Sequence, residues 1–388
     1  MTSSAAHELP ELTGLRGLAA FWVLLFHAWS LCGEPNPGGY GLAAPFAVGW
    51  AGVDIFFTLS AFLLSLPFAA WQLGLAPRPS LRRYFARRVL RIFPAYYVQL
   101  AILLGLAAAF GIGRTLDLHD FLAHLGLWLL IGDPPVMPLN GVWFTLPIEF
   151  AFYLVLPVLA LLLAPRRWPW LLMGAVLFTF AYRWYAYAGV AMAPVPVRVN
   201  VIERFPGRID QFVIGMVAAY FYVAWRARDA LRRVVADRLL WLGLIGLTAM
   251  CAAIYIVRAT YWDGHPLLFC WHLLTSLALV CLLLGCASGS RFGAPLFGNR
   301  GVRYLGQISF GVYLWHFPIL LWIAPVLLPS AEPTLRLALM LPVLIGLTIA
   351  AAHLSYVLVE RPFLRLGQRR QAHPGFTTEL PAKVTEPA

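Results

Sequence analysis

The chain has few charged residues and almost no lysine. Only 12% of its 388 residues are Asp, Glu, Lys or Arg, and Lys383 is the single lysine among 29 basic residues. Soluble domains carry about 25% charged residues, so the composition excludes an ordinary soluble domain. Hydrophobic residues make up 61% of the chain and the mean hydropathy is +0.76. These values indicate an integral membrane protein.

Paired cysteines and metal-ligand spacings are also missing. The five cysteines form no C-x-x-C pair and most lie within apolar runs, so we expect neither disulfides nor a metal site. The formal net charge of +12 could suggest nucleic-acid binding, but the basic residues lie in short segments between apolar runs. We therefore expect membrane lipids as partners and no nucleic acid.

Ten apolar runs are long enough to cross a bilayer. Segments on alternate sides of these runs carry 21 basic residues against seven, which places both termini in the cytoplasm. The N-terminus lacks a basic region and a cleavage site, so the first run should stay as a span. The predicted fold class is all-α, a polytopic integral membrane protein with about ten transmembrane helices. The runs are 14–32, 46–70, 94–113, 141–164, 168–188, 208–225, 239–257, 265–286, 304–329 and 336–359.

The domain organisation follows from the same pattern. We predict a short cytoplasmic segment over 1–13, a transmembrane domain over 14–363 and a cytoplasmic tail over 364–388. A Gly/Pro-rich outer loop is expected over 33–45 and another long loop over 189–207.

The first run contains two titratable residues, Arg16 and His27. Eleven helical residues make about three turns, so both side chains fall on nearly the same face, roughly 16 Å apart along the axis. Titratable groups are costly in a membrane and usually face protein or a water-filled cavity. For this helix alone, a structural interpretation is as good as a functional one. In the structural interpretation, Arg16 is a membrane anchor and His27 is a packed core histidine.

Two acids also lie within apolar runs. Glu149 follows Pro147, which can free a backbone group and kink a helix, and a buried acid there favours a functional role. Asp54 begins the second run. It could be functional, or it could simply lie at the membrane interface near a helix N-terminus.

A dense basic cluster precedes the third run. Arg88 and Arg91 are three residues apart and share a helical face, and Arg87 is adjacent. Guanidinium groups bind phosphate oxygens through paired hydrogen bonds, so the cluster is a candidate site for a phosphorylated ligand. The alternative is a membrane anchor that touches anionic lipid.

Four further residues are candidates for substrate binding: Trp143, Tyr153, Tyr313 and His316. The first two could equally belong to an interfacial aromatic belt. At the end of the last run, Glu360-Arg361-Pro362 predicts the end of a helix and a structural ion pair.

Taken together, these stretches resemble acyltransferase family 3, a family of membrane O-acyltransferases. Arg16 and His27 match its Arg-x10-His signature, and GVDIFFTLSAFLL, RRVLRIFPAYY, GVWFTLPIEFAFYLVLP, LGQISFGVYLWHFPI and VERPF resemble its later motifs in order. Ala61 stands where the family usually has Gly, Phe144 and Thr145 replace a Trp-Ser pair, and Pro147 is added. Without a fused extracytoplasmic esterase-like domain, the chain is expected to be a stand-alone form.

The resemblance implies an enzyme that transfers an acyl group, most often acetyl from acetyl-CoA, to a hydroxyl of a saccharide, glycolipid or secreted metabolite. The expected location is the bacterial cytoplasmic (inner) membrane. Arg87, Arg88 and Arg91 would bind the phosphates of acyl-CoA, which is a donor substrate and not a permanently bound cofactor.

The resemblance makes His27 the catalytic base or a transient acyl carrier, with Arg16 on the same catalytic helix. Glu149 or Asp54 would orient the imidazole, as a carboxylate does in a nucleophilic triad. The same buried groups could instead serve a proton-coupled transporter or flippase, although such proteins usually contain internal repeats and none is evident here.

Overall fold

The computed structural model describes residues 9–36, 40–129, 131, 135–227, 233–327 and 330–369, and every regular element within them is a helix. The predicted all-helical class is therefore confirmed for this part of the chain. The α-helices are α1 (Pro10–Leu31), α2 (Tyr40–Ala47), α3 (Gly52–Gln72), α4 (Leu81–Phe110), α5 (Leu118–Gly126), α6 (Thr145–Leu159), α7 (Trp168–Val190), α8 (Val195–Ile202), α9 (Ile209–Ala227), α10 (Arg233–Val257), α11 (Pro266–Ala287), α12 (Gly293–Phe297), α13 (Arg300–Gln307), α14 (Ser309–Ile323), α15 (Pro333–Ser355) and α16 (Arg361–Arg369).

A helix lies within each of the ten apolar runs that the sequence predicts to cross a membrane. Among the described residues, seven helices are long and apolar enough to span a bilayer, or up to eight if the bent pair α13–α14 is one span. Large apolar side chains such as Trp170 and Leu177 are exposed, as expected of a lipid-facing surface. The chain is thus a polytopic membrane protein, while the count of ten spans and the cytoplasmic termini stay predictions.

Two of the predicted spans, α7 and α9, fall outside those seven or eight helices. The low hydropathy of α9 is explained by its surroundings. Helices α3, α7 and α11 all pack against it. Phe212 and Met216 of α9 are fully buried, and so is the polar Gln211. A helix enclosed by protein can carry polar residues that a lipid-facing helix cannot, so its hydropathy is lower.

Glycines bring α1 unusually close to α13. A Cβ atom on Gly17 would lie 2.5 Å from the backbone nitrogen of Gly306, and one on Gly306 would overlap the carbonyl of Thr13. Since real Cβ atoms do not approach backbone this closely, only glycine permits the contact. The contact fixes the position of α1 next to Arg16.

Two predicted loops contain helices. The segment 33–45 includes the start of α2, and the segment 189–207 contains α8. Pro147 does not break a helix, because α6 begins at Thr145 and the proline lies in its first turn, where a backbone N–H has no helical partner in any case.

The predicted helix end at Glu360 is wrong. A π-helical turn over Tyr356–Glu360 joins α15 to α16, so the helix continues to Arg369. Glu360 is almost fully buried and its carboxylate lies 4.0 Å from the guanidinium of Arg91, which is a structural ion pair as expected. At the other end of α15, the backbone N–H groups of Thr334 and Leu335 donate to Glu332 and lower its pKa.

Candidate active site

A cavity lies beside the N-terminal half of α1, with about 690 Å³ of empty space including its mouth. Five helices contribute to its wall: α1, α3, α4, α6 and α14. The charged residues that line it are Arg16, Arg88, Arg91 and Glu149, and Tyr153 and Tyr313 line it as well. Motifs that are far apart in the sequence therefore meet at one cavity.

The cavity carries an excess of positive charge. Glu149 accepts hydrogen bonds from Ser60 (2.9 Å) and from the hydroxyl of Tyr153, and the guanidinium of Arg88 lies 5.8 Å from the centre of the Tyr153 ring. Three guanidinium groups face one lining carboxylate among the described residues. Such a site attracts an anion, and phosphate or carboxylate oxygens suit the guanidinium geometry.

Arg87 lies apart from this cavity. It is exposed and lines a separate depression with Arg82, Arg83 and Gly367. Arg88 and Arg91 are three residues apart and so share the inward face of α4, whereas Arg87 is rotated by about 100° from Arg88. The predicted trio therefore divides into two groups with different surroundings.

His27 does not line the cavity, and its polar partner is another histidine. Its Nδ1 atom lies 3.0 Å from the carbonyl oxygen of Val23 and 3.2 Å from Nε2 of His316. The rings of Phe26 and Phe317 pack edge-on against it, each with a centroid distance of 5.1 Å. Among the described contacts of His27 there is no carboxylate, so neither Asp54 nor Glu149 takes the orienting position expected from the sequence.

Tyr313 connects the cavity to the histidine pair. Its ring lines the cavity and also packs against His316 with a centroid distance of 5.9 Å. Its hydroxyl donates to the carbonyl of Val142 and is hydrogen-bonded to Thr145. Thus two ring contacts link the cationic cavity to His27.

Asp54 belongs to a different site, a buried ionic network among α3, α9, α11 and the segment after α8. It accepts hydrogen bonds from Arg208 (2.9 Å) and from the indole of Trp271 (2.9 Å). Arg208 also pairs with Glu203 at 2.7 Å, and His272 lies between the two carboxylates at 3.3 and 2.9 Å.

Glu203 sits in the segment outside the predicted spans and pairs additionally with Arg183 at 2.9 Å. Burial alone would raise the pKa of this carboxyl, but Arg183, Arg208 and His272 outweigh that effect and hold its pKa well below its usual range. Every charge of this network has an opposite partner, so its arrangement serves packing between helices.

Trp143 is fully buried, and its indole donates to Gln99 at 2.8 Å. Gln99 and Asn140 both donate to the carbonyl of Leu314 (2.7 and 2.9 Å). Pro318 lies four residues after Leu314 and lacks the N–H that this carbonyl would normally accept. These side chains replace the missing helical bond and hold α14 in place.

The structure thus brings Tyr153 and Tyr313 to the cavity, His316 to His27 and Trp143 to neither.

Sequence reasoning missed several polar residues of these sites. Arg183 and His272 lie within apolar runs, and that unusual position was a usable signal. Ser60 lines the cavity, but a lone serine in an apolar run carries no comparable signal.

Among the described residues, one surface cluster has ligand atoms close enough for a cation. The side chains of Asp117, His119 and Asp120 have such atoms within 4.8 Å of one another. Arg114 already pairs with Asp120 at 3.0 Å, and Asp117 caps α5. A guanidinium at this position disfavours a second cation, so the cluster carries no functional argument.

The fold and the cavity define a class: a polytopic helical membrane protein with a cationic cavity next to a buried histidine pair. Residues 9–359 match the family model described as an acyltransferase domain. The chain therefore belongs to this acyltransferase family, as its motifs indicated. No solved structure matches it significantly.

Curated relatives are consistent with this family. The chain is 25% identical over 383 residues to the peptidoglycan O-acetyltransferase OatA of Listeria monocytogenes, covering 92% of this chain and 56% of that protein. A putative O-acetyltransferase of Staphylococcus aureus (strain COL) is 23% identical, covering 92% and 58%. A putative acetyltransferase of Acidianus two-tailed virus is 24% identical, covering 79% and 82%. The chain thus spans little more than half the length of the two bacterial relatives.

Proposed function

We propose that this protein is a membrane O-acyltransferase that moves an acyl group, acetyl in the simplest case, from acyl-CoA to a hydroxyl group. The proposal includes a saccharide, glycolipid or secreted metabolite as acceptor and a bacterial cytoplasmic membrane as location. The observation that carries it is the cationic cavity of Arg16, Arg88 and Arg91, which connects through Tyr313 and His316 to His27.

The cavity suits an anionic donor, because three of its four charged lining residues are arginines. Coenzyme A carries phosphate groups at one end and the thioester at the other, and guanidinium groups bind phosphate oxygens strongly. Arg88 and Arg91 would hold the phosphates, while Phe56 and Tyr313, which also line the cavity, would contact the thioester arm. The thioester would then reach His27 after the Tyr313 ring turns aside.

His27 can act as the base of the transfer. In this step its Nε2 takes the proton of the acceptor hydroxyl, and the hydroxyl oxygen attacks the thioester carbonyl carbon. The carbon–sulfur bond breaks, the thiolate leaves and takes the proton from the imidazolium, and the products are an O-acyl ester and free coenzyme A. Transfer through an acyl group bound to His27 would use the same Nε2 atom.

The acceptor class is supported by the relatives. One of them is named as acting on peptidoglycan, which is a saccharide polymer. A saccharide hydroxyl arriving at the end of α1 that carries His27, opposite the end that carries Arg16, would meet the donor near the middle of the helix, because the two residues are roughly 16 Å apart along the axis.

The test uses acetyl-CoA labelled in its acetyl group, membranes that contain the protein, and the envelope fraction of the source cells as acceptor. Alkali-labile label should accumulate on the acceptor with the parent protein. With His27→Ala the rate should fall by about 10²–10⁴-fold, the usual loss when a general base is removed. Label that stays on the parent protein and disappears in His27→Ala would indicate the acyl-carrier route.

The control variant is His353→Phe. His353 is exposed on α15, is hydrogen-bonded to Tyr304 and does not line the cavity. It should transfer label at the parent rate. If the parent protein transfers no acetyl group, or His27→Ala transfers at the parent rate while inserted and monodisperse, the proposal is wrong. A proton-dependent flux of solute in vesicles without acetyl transfer would instead favour the transporter.

A further inference from the structure

We propose that His316 is a positioning residue that holds His27 in the tautomer whose Nε2 is unprotonated. The inference rests on the proposed function, in which that Nε2 is the reacting atom. It assigns to a second histidine the orienting role that the sequence led us to expect of an acid.

The tautomer of His316 follows from its own hydrogen bond. Its Nδ1 lies 3.0 Å from the carbonyl oxygen of Val312, one helical turn earlier. A carbonyl only accepts hydrogen bonds, so Nδ1 must carry the proton. His316 is fully buried, and a second proton would place an unpaired charge in that setting. Its Nε2 is therefore an acceptor.

The tautomer of His27 follows in turn. Its Nδ1 faces two atoms, the carbonyl of Val23 at 3.0 Å and Nε2 of His316 at 3.2 Å, and both are acceptors. Nδ1 must then be the donor, and a neutral ring keeps its lone pair on Nε2. No described residue is hydrogen-bonded to this Nε2, so the lone pair is free for a substrate hydroxyl.

His316 is the acceptor of the His27 Nδ1–H that the helix backbone does not share. In a helix, the Val23 carbonyl already accepts the backbone N–H of His27, whereas Nε2 of His316 has no other hydrogen-bonding partner among the described residues. When His27 takes a proton during the reaction, its Nδ1–H bond to His316 becomes charge-assisted and hence stronger. A neutral imidazole thus replaces the carboxylate of a triad.

The position of His316 is also fixed by its helix. Gln99 and Asn140 bind the Leu314 carbonyl that Pro318 leaves without a donor. This anchors α14 within one turn of His316. The Nε2 atom of His316 lies against His27 of α1, and His316 does not line the cavity.

The test compares His316→Phe with His316→Gln in the acetyl-transfer assay. Phe keeps the ring and removes the acceptor, and kcat should fall by at least about tenfold and at most by the 10²–10⁴-fold of base removal. The KM for acetyl-CoA should stay unchanged. The Gln amide oxygen can occupy the position of Nε2, so His316→Gln should recover much of the rate. If His316→Phe is not monodisperse, His316→Asn replaces it, because its amide is too short to reach His27.

A second arm places His316→Phe in the His27→Ala background. If His316 acts only through His27, the double variant should be no slower than His27→Ala. Further loss in the double variant, a raised KM, or a parent rate in His316→Phe would overturn the positioning role. Loss of transfer in His27→Ala with full transfer in His316→Phe would refute this inference alone, whereas full transfer in His27→Ala would refute the proposed function.

Discussion

Arg87, Arg88 and Arg91 show how much a single residue step matters on α4. Arg88 and Arg91 line the cavity beside Arg16, whereas Arg87 lies on the exposed surface of the same helix. One step along a helix turns the side chain by about 100°. The three arginines are equal in charge, so their effect on donor binding should depend only on which way they face.

We therefore expect Arg88→Ala to weaken acetyl-CoA binding by about tenfold to 150-fold, since a hydrogen bond to a charged group contributes about 1.5–3 kcal/mol. The loss of acetyl-CoA affinity should be larger at low salt, because salt screens the interaction between charges. Arg87→Ala is the matched control and should bind acetyl-CoA nearly as the parent does. Equilibrium binding to purified protein measures the affinity of both variants for acetyl-CoA. An equal loss of affinity in the two variants would show that the cavity is not the donor site.

At the scale of elements, α1 holds the candidate catalytic residues and depends on its contact with α13. Gly17 and Gly306 allow the two backbones to touch, and Arg16 is the residue just before that contact. A methyl group at Gly17 would have to displace backbone, not a flexible side chain. The position of Arg16 in the cavity is therefore tied to the absence of a side chain at position 17.

Gly17→Ala should lower the free energy of unfolding by about 1–3 kcal/mol, the usual cost of overpacking, and should also raise the KM for acetyl-CoA. Gly346 on α15 has open space where a methyl group would lie, with no neighbouring atom within 4 Å, so Gly346→Ala should be neutral or stabilising by up to about 1 kcal/mol. Thermal unfolding in detergent compares the two variants. Equal unfolding midpoints for Gly17→Ala and Gly346→Ala would mean that α1 and α13 can separate at no cost in stability.

At the scale of the molecule, the ionic network around Asp54 joins helices that are distant in the sequence. Arg208, which directly precedes α9, binds Asp54 of α3 and Glu203. Arg183 of α7 and His272 of α11 complete the network. Because these groups are buried, removing one leaves an uncompensated charge. The network therefore makes the packing of four helices mutually dependent.

Arg208→Met should destabilise the protein by about 3–5 kcal/mol, as expected when one partner of a buried ion pair is removed. The comparison is Arg291→Met, since Arg291 pairs with Asp237 at 3.1 Å but has a side chain that is 68% exposed; an exposed pair contributes about 0–1 kcal/mol. Apparent unfolding midpoints at one scan rate measure the difference. A smaller shift for Arg208→Met than for Arg291→Met would contradict this role.

The helical class, the positions of the long helices and the family could all be predicted from the sequence. Hydropathy and helical periodicity depend on residues within one or two turns, so they can be read without knowledge of the fold. The placement of Arg16 and His27 on one helix, and of Arg88 and Arg91 on one face, followed from the same local geometry.

The contacts between residues of different helices could not be predicted in the same way. Asp54 and Glu149 were equally good partners for His27 in the sequence, yet Asp54 lies in the network with Arg208, and Glu149 lies in the cavity with Ser60. His316 reaches His27 because α1 and α14 pack together. Such contacts join residues that are 89 to 289 positions apart in the sequence. They depend on how helices cross and how closely their backbones approach, which no local pattern encodes.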